Sequence, residues 1–140
     1  MSKDILKTII SVVEKSTKAI IGSVDDEGYP NIKAMLSPRE RKGVKEFYFS
    51  TNTSSLRVSQ FLKNPKASVY FYDGRFFRGV MFRGKMEVLH DKEIKELIWR
   101  EGDTMYYKLG VTDPDYCILR FTSENGRLYE NFRSTNFIVE

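Results

Sequence analysis

The stretch Thr51-Asn52-Thr53-Ser54-Ser55-Leu56-Arg57 gathers four hydroxyls and one guanidinium within seven residues. It lies where an apparent strand, EFYFST, passes into an apparent helix carrying Val58, Phe61 and Leu62. A helix N-terminus has unpaired N–H groups and a partial positive charge. Hydroxyls and an arginine gathered there suit a phosphate held by charge-assisted hydrogen bonds. The same residues also suit a plain helix, with Ser54 or Ser55 as the cap and Arg57 on a solvated face.

Other chemistry is sparse. The chain has one cysteine, Cys117, and one histidine, His90, which excludes an internal disulfide and leaves too few ligands for an ordinary zinc site. Cys117 falls in the alternating run YCILRF and is expected to act as a small apolar residue of a strand. His90 precedes Asp91 at a helix start, so the two do not read as a nucleophile and its base. There is no GxGxxG, Walker loop, CxxC or GxSxG.

The net charge is +4 and the pI about 9.1, with the basic residues spread along the chain. That excess suits a phosphate-bearing ligand. A nucleic-acid-binding barrel is less favoured, because no basic stripe interleaves with aromatic residues. No apolar run approaches the ~20 residues of a membrane span. Asp4 and Lys7 interrupt the N-terminus where a signal peptide would be apolar, so a cytoplasmic protein without membrane association is expected.

The elements that must position these residues are mostly strands. Ten Phe, eight Tyr and one Trp among 140 residues favour sheet, and the length suits one domain spanning residues 1–140. Ile5, Ile9, Val12 and Val13 after Ser2 predict a capped helix over residues 3 to 15. KAIIGSV, the DDEGYP turn and NIKAML predict a hairpin, in which Ala34, Met35 and Leu36 also suit plain barrel core. SPRERKGVK reads as an exposed connection. ASVYFY, the turn signal Asp73-Gly74 and RFFRGVMFRGKMEVL predict a second hairpin, with Gly79 and Gly84 marking bulges or close backbone approach. A helix after Asp91 carries Ile94, Leu97 and Ile98. CILRFT, the turn signal Asn125-Gly126, RLYENF and a short tail follow. The sum is an α+β chain: a mainly antiparallel six- to seven-stranded barrel with flanking helices.

The order and spacing of KAIIGSVDDEGYPNIKAML, EFYFSTNTSSLRVSQFLKNPKASVYFYD and RGVMFRG resemble the FMN-binding split barrel of the pyridoxamine 5′-phosphate oxidase-like superfamily. Beyond residue 90, YYKLGVTDPDYCILRFTSENGRLY looks like the small bacterial members of that family. The resemblance implies an FMN-binding homodimer in which both chains line each flavin. It places Lys33, Ala34, Met35 and Leu36 along the flavin ring, Ser50 and Thr51 at the strand end, and Ser55, Leu56 and Arg57 at the phosphate. Gly79 takes a place near the flavin, on the partner strand. An oxidoreductase acting on a small-molecule substrate or electron donor is the implied activity. A haem- or deazaflavin-binding barrel and a flavin-binding sensor or store without turnover stay open.

Two departures bear on that reading. Leu56 stands where the family has the first of two basic residues, which leaves Arg57, with Lys33, to grip the phosphate. Ser37-Pro38 follows the ring strand where true pyridoxamine phosphate oxidases have a substrate-binding lysine, and the chain ends before their longer C-terminal segment. Oxidation of vitamin B6 is therefore not expected. Trp99, Tyr106 and Tyr107 suit either ring contact or a core.

Overall fold

A computed structural model describes all residues from Met1 to Glu140. Helix α1 (Lys3–Lys15) forms because Ile9, Val12 and Val13 recur on one face and bury there, while the Ser2 hydroxyl accepts from the Ile5 N–H at 3.2 Å. Strands β1 (Lys18–Val24) and β2 (Pro30–Leu36) form the first hairpin in register, Ile20 opposite Ala34. A short β3 (Glu40–Lys42) turns back onto β4 (Glu46–Asn52), and α2 (Leu56–Lys63) follows. Then come β5 (Lys66–Asp73), β6 (Arg78–Leu89), α3 (Lys92–Ile98), β7 (Tyr116–Glu130) and β8 (Arg133–Ile138).

The strands make one antiparallel sheet in the order β2-β1-β5-β6-β7-β4-β3, with β8 paired to the second half of β7. With three helices, this is the expected α+β split barrel, built from eight strands rather than six or seven. The two extra strands are β3, inside the charged SPRERKGVK connection, and β8, the C-terminal tail. Both are paired by backbone, which hydrophobic patterning does not report.

The main core is aromatic. Phe47 packs against Phe71, Phe82 and Phe121 at centroid distances of 5.3, 5.2 and 6.3 Å, with α1 and α2 contributing Ile9, Val12, Val58 and Phe61. Cys117 is fully buried in this core, as its alternating run predicts. A second cluster of Tyr48, Ile98, Tyr107, Tyr116 and Ile118 lies outside it. In α3 the lysine Lys95 is buried and Leu97 exposed, the reverse of the apolar pattern. The Lys95 ammonium donates to the Asp113 carbonyl at 3.2 Å and lies 5.3 Å from the Tyr116 ring centroid, which pairs its charge without a carboxylate.

Both turn signals of the second half are displaced. Asp73 pairs with Arg78, so a four-residue loop separates the strands instead of a tight Asp-Gly turn. The Asp73 carboxylate holds that loop by accepting from the Arg75 N–H at 3.2 Å and the Arg78 Nη2 at 2.7 Å. Asn125-Gly126 does not turn at all. It lies inside β7, and the chain reverses at Asn131-Phe132, both with positive φ. Gly126 is needed there because a Cβ would stand 2.2 Å from the Met81 carbonyl oxygen and 2.5 Å from the Phe137 ring. A register shift between Arg83 and Gly84 marks one predicted bulge.

Candidate functional site

Edge strand β2 pairs only with β1, and the sheet curls until its end stands beside the end of β4. A cleft of about 220 Å³ opens between them, lined by Lys33, Ala34, Met35, Leu36 and Ser37 from one side and Ser50, Thr51 and Asn52 from the other. Arg57, Arg39, Tyr106 and Tyr107 complete it. A hollow of about 430 Å³ adjoins it and shares Lys33, Thr51, Asn52 and Arg57, adding Ser54, Ser55 and Leu56. Nine of the ten residues named from the sequence meet here.

The exception is Gly79, which lies on β6 beside a separate aromatic hollow with Tyr70, Tyr72, Phe77, Tyr129 and Phe132. It sits in regular pairing with Tyr72 and Tyr129 rather than at a bulge, and a Cβ there would stand 1.9 Å from the Tyr70 hydroxyl. Within one chain it takes no part in the cleft.

Ala34 and Leu36 are not core. On β2 only Met35 turns inward to pack on the main core, while Ile32 (78% exposed) and Leu36 (67% exposed) face out with Ala34. The strand alternates as predicted, but its apolar side is the uncovered one.

The hydroxyl-rich end of the cleft is built by local folding. The Asp115 carbonyl accepts from the Thr53 N–H at 2.7 Å and its carboxylate from the Ser54 N–H at 2.9 Å, which draws the loop onto the start of β7. Ser55, of the two candidate caps, is the one that caps α2: its hydroxyl faces the Val58 N–H at 3.4 Å. The first turn of the helix, Leu56 and Arg57, lines the hollow.

Charge in the cleft is one-sided. No Asp or Glu lines either hollow. Arg39 is satisfied, since its guanidinium bonds the Asp103 carboxylate through both terminal nitrogens. Arg57 is not: its Nε is buried with no acceptor, it makes no ion pair, and burial pushes its guanidinium pKa down. Lys33 is likewise unpaired, and the hydroxyls of Ser50 and Thr51 have no partner in the chain. Arginine deprotonates in no ordinary protein setting, so Arg57 keeps its charge and lacks an anion.

Burial raises the Tyr107 hydroxyl pKa to about 12, so it remains a donor, and it donates to Asn52 Oδ1 at 2.9 Å. Asn52, Arg39 and Asp103 were not singled out by sequence. Asn52 sits inside the TNTSSLR motif, but the Arg39–Asp103 pair spans 64 residues and has no local signal.

A larger hollow of about 520 Å³ lies elsewhere, lined in part by Arg83, Lys85, Glu124 and Asn125. Its Arg83 is bonded to Asn125 at 2.8 Å and Glu124 shares the lining, whereas no carboxylate lines the cleft. His90 lies on the surface, away from the cleft, and no group of three or more His, Cys, Asp or Glu is placed to hold a metal. No helix is long and apolar enough to cross a membrane.

A curled antiparallel sheet with a cationic cleft at the meeting of β2, β4 and α2 defines a split-barrel protein. The family described as pyridoxamine 5′-phosphate oxidase matches residues 5–130, and the chain belongs to it. A pyridoxine/pyridoxamine 5′-phosphate oxidase of Legionella pneumophila (strain Lens) is 31% identical over 77 residues, 55% of this chain but only 35% of that protein, so the likeness spans about a third of the curated relative. A Clostridium acetobutylicum protein related to general stress protein 26 of B. subtilis superposes with a TM-score of 0.89 at 40% identity. The match covers 99% of this chain and 97% of that one. A haem binding protein from Mycobacterium smegmatis shares the fold, with a TM-score of 0.77 at 11% identity over 99% of this chain and 59% of that one.

Proposed function

We propose that the chain is an FMN-binding protein that acts as a flavin-dependent oxidoreductase on a small molecule, as a homodimer. The observation that carries this is Arg57, a partly buried cation whose Nε has no acceptor, in a hollow with Lys33, unpaired hydroxyls and no carboxylate. That donor set suits a phosphate monoester. Arg57, Ser55 and the first turn of α2 would hold the phosphate, with Lys33 close by. Ser50, Thr51 and the Lys33 to Leu36 strand would lie along the ring.

Flavin supplies two-electron, hydride-accepting chemistry when bound. The side chains of this cleft orient and enclose. None is placed as an acid or base: the tyrosine hydroxyl of Tyr107 is kept protonated and engaged with Asn52, and the cleft holds no carboxylate, histidine or cysteine. Turnover would then depend on access of a donor to the ring.

The dimer reading is supported by the outer sheet face. Leu36, Ala34 and Ile32 stand there with Ile20 and Gly22 of β1, and register places Tyr70 and Ser68 of β5 and Met81 and Arg83 of β6 beside them. A continuous face with exposed apolar residues, beginning at a cleft-lining edge strand, suits a second copy that also covers the cleft.

Purified protein tests the cofactor. A flavin spectrum, with FMN released on denaturation, is expected. A Soret band, as a haem-binding relative of the Mycobacterium smegmatis type would give, or a deazaflavin spectrum overturns FMN. A flavin that neither NADH nor NADPH reduces would point to a sensor or store.

A further inference from the structure

One wall of the cleft belongs to neither the ring strand nor the phosphate loop. It is the segment between α3 and β7, which contains two 3-10 turns, Asp103–Met105 and Gly110–Thr112. The segment is tied to the connection that follows β2 and to the end of β4. At the β2 side, the buried Asp103 carboxylate takes both terminal nitrogens of Arg39 and the Arg100 N–H, and Arg100 Nη2 donates back to the Arg39 carbonyl at 3.0 Å. At the β4 side, the Tyr107 hydroxyl donates to Asn52. Behind it Trp99, Tyr107 and Tyr116 pack with centroids 4.9 to 6.3 Å apart.

Tyr106 lies between these ties and shares in none of them. Its side chain makes no hydrogen bond and no ring contact within the chain, is 69% exposed, and lines the cleft. Trp99 and Tyr107 are thus core residues, and Tyr106 is not. An anchored backbone that presents a free aromatic side chain to a cleft offers contact area at low cost in ordering, because only two side-chain torsions remain to be settled.

We infer that Tyr106 is the side chain that meets the planar ring of the bound cofactor, and that the Arg39–Asp103 pair is the positioning device that holds it there. This rests on the flavin reading above. Contact with a ring is indifferent to the phosphate, so its loss has a signature different from that of Arg57.

The test titrates FMN and riboflavin into flavin-free protein, reading affinity and the emission of the bound flavin. Tyr106→Ala is expected to weaken both ligands alike, by about two- to ten-fold, and to brighten the bound flavin as an adjacent quencher is removed. Tyr106→Phe should restore affinity, since the ring and not the hydroxyl makes the contact. Asp103→Asn should weaken ring binding in the presence of Tyr106 but add nothing once residue 106 is alanine. General loosening of the fold would instead lower affinity in both backgrounds, and that overturns the positioning role. Unchanged affinity and emission in Tyr106→Ala, while Arg57→Ala still loses FMN, overturns the contact. Failure of both FMN and riboflavin to bind the unsubstituted protein overturns the flavin reading and this inference with it.

Discussion

Arg57 and Arg39 line one cleft, yet only Arg39 has a carboxylate: its guanidinium grips Asp103, whereas Arg57 keeps a buried Nε with no acceptor. A charged group left short of a partner in a folded protein marks a place where something else completes the pairing. A charged hydrogen bond contributes about 1.5–3 kcal/mol, so Arg57→Ala should weaken FMN binding roughly ten- to a hundred-fold. Riboflavin affinity should hardly move. Isothermal titration of both ligands checks this, and equal loss for both would indicate damage to the barrel. Leu56→Arg, at an exposed position in the same helical turn, should tighten FMN alone.

Acid should loosen the molecule through its paired carboxylates. Burial alone would raise the Asp103 carboxyl, but hydrogen bonds from Arg39 and the Arg100 N–H, with the charges of both arginines, hold it below the usual carboxylate value. Chiefly the Arg78 hydrogen bond lowers Asp73 in the same sense. A depressed folded pKa means that stability from these pairs is complete above the unfolded value of about 3.9 and is lost as pH falls through the folded one. Thermal melts should therefore change little between pH 7 and 5 and drop below about pH 4. Asp103→Asn should flatten part of that drop.

Two glycines on the sheet should tolerate alanine differently. Gly126→Ala drives a Cβ against the Met81 carbonyl oxygen, which is strand backbone and cannot yield without moving β6. A cost of about 1–3 kcal/mol is expected, read as a lower Tm. Gly79→Ala meets the hydroxyl end of Tyr70, a half-buried side chain that can rotate, and should cost less. Reversed order of the two melts would show that Tyr70 is the more rigid neighbour.

The outer face predicts assembly. Light scattering should give a dimer, with a specific interface burying more than ~1,000 Å². Ile32→Lys, on the exposed side of β2 and outside the cleft lining, should yield folded monomers with weakened flavin binding. A monomeric unsubstituted protein that still holds flavin would sink the two-chain site.

Helix α1, the first hairpin and a cap at Ser54 or Ser55 were legible because each rests on local spacing: a 3.6-residue stripe, a Gly-x-Pro turn, a hydroxyl before an apolar run. The cleft residues from Lys33 to Arg57 were legible mainly through the resemblance to the split-barrel family, carried by the order of the segments that hold them. The displaced turn at Asn125-Gly126 was not. Its glycine serves the close approach of Met81 and Phe137, partners 45 and 11 residues away that local turn chemistry ignores. The cleft wall between α3 and β7 was hidden for the same reason, since Arg39 sits in a charged run and its partner Asp103 lies far along the chain.

The two ends of the cleft differ in how firmly they are built into the sheet. The loop before α2 is bonded through Thr53 and Ser54 to Asp115, next to the fifteen-residue β7, whereas β2 hangs from β1 alone. A nucleotide seated across both would splice an edge strand to the longest strand of the sheet, which has three partners. Amide exchange in β2 should then slow sharply on flavin binding while that in β7, already slow, stays as it was.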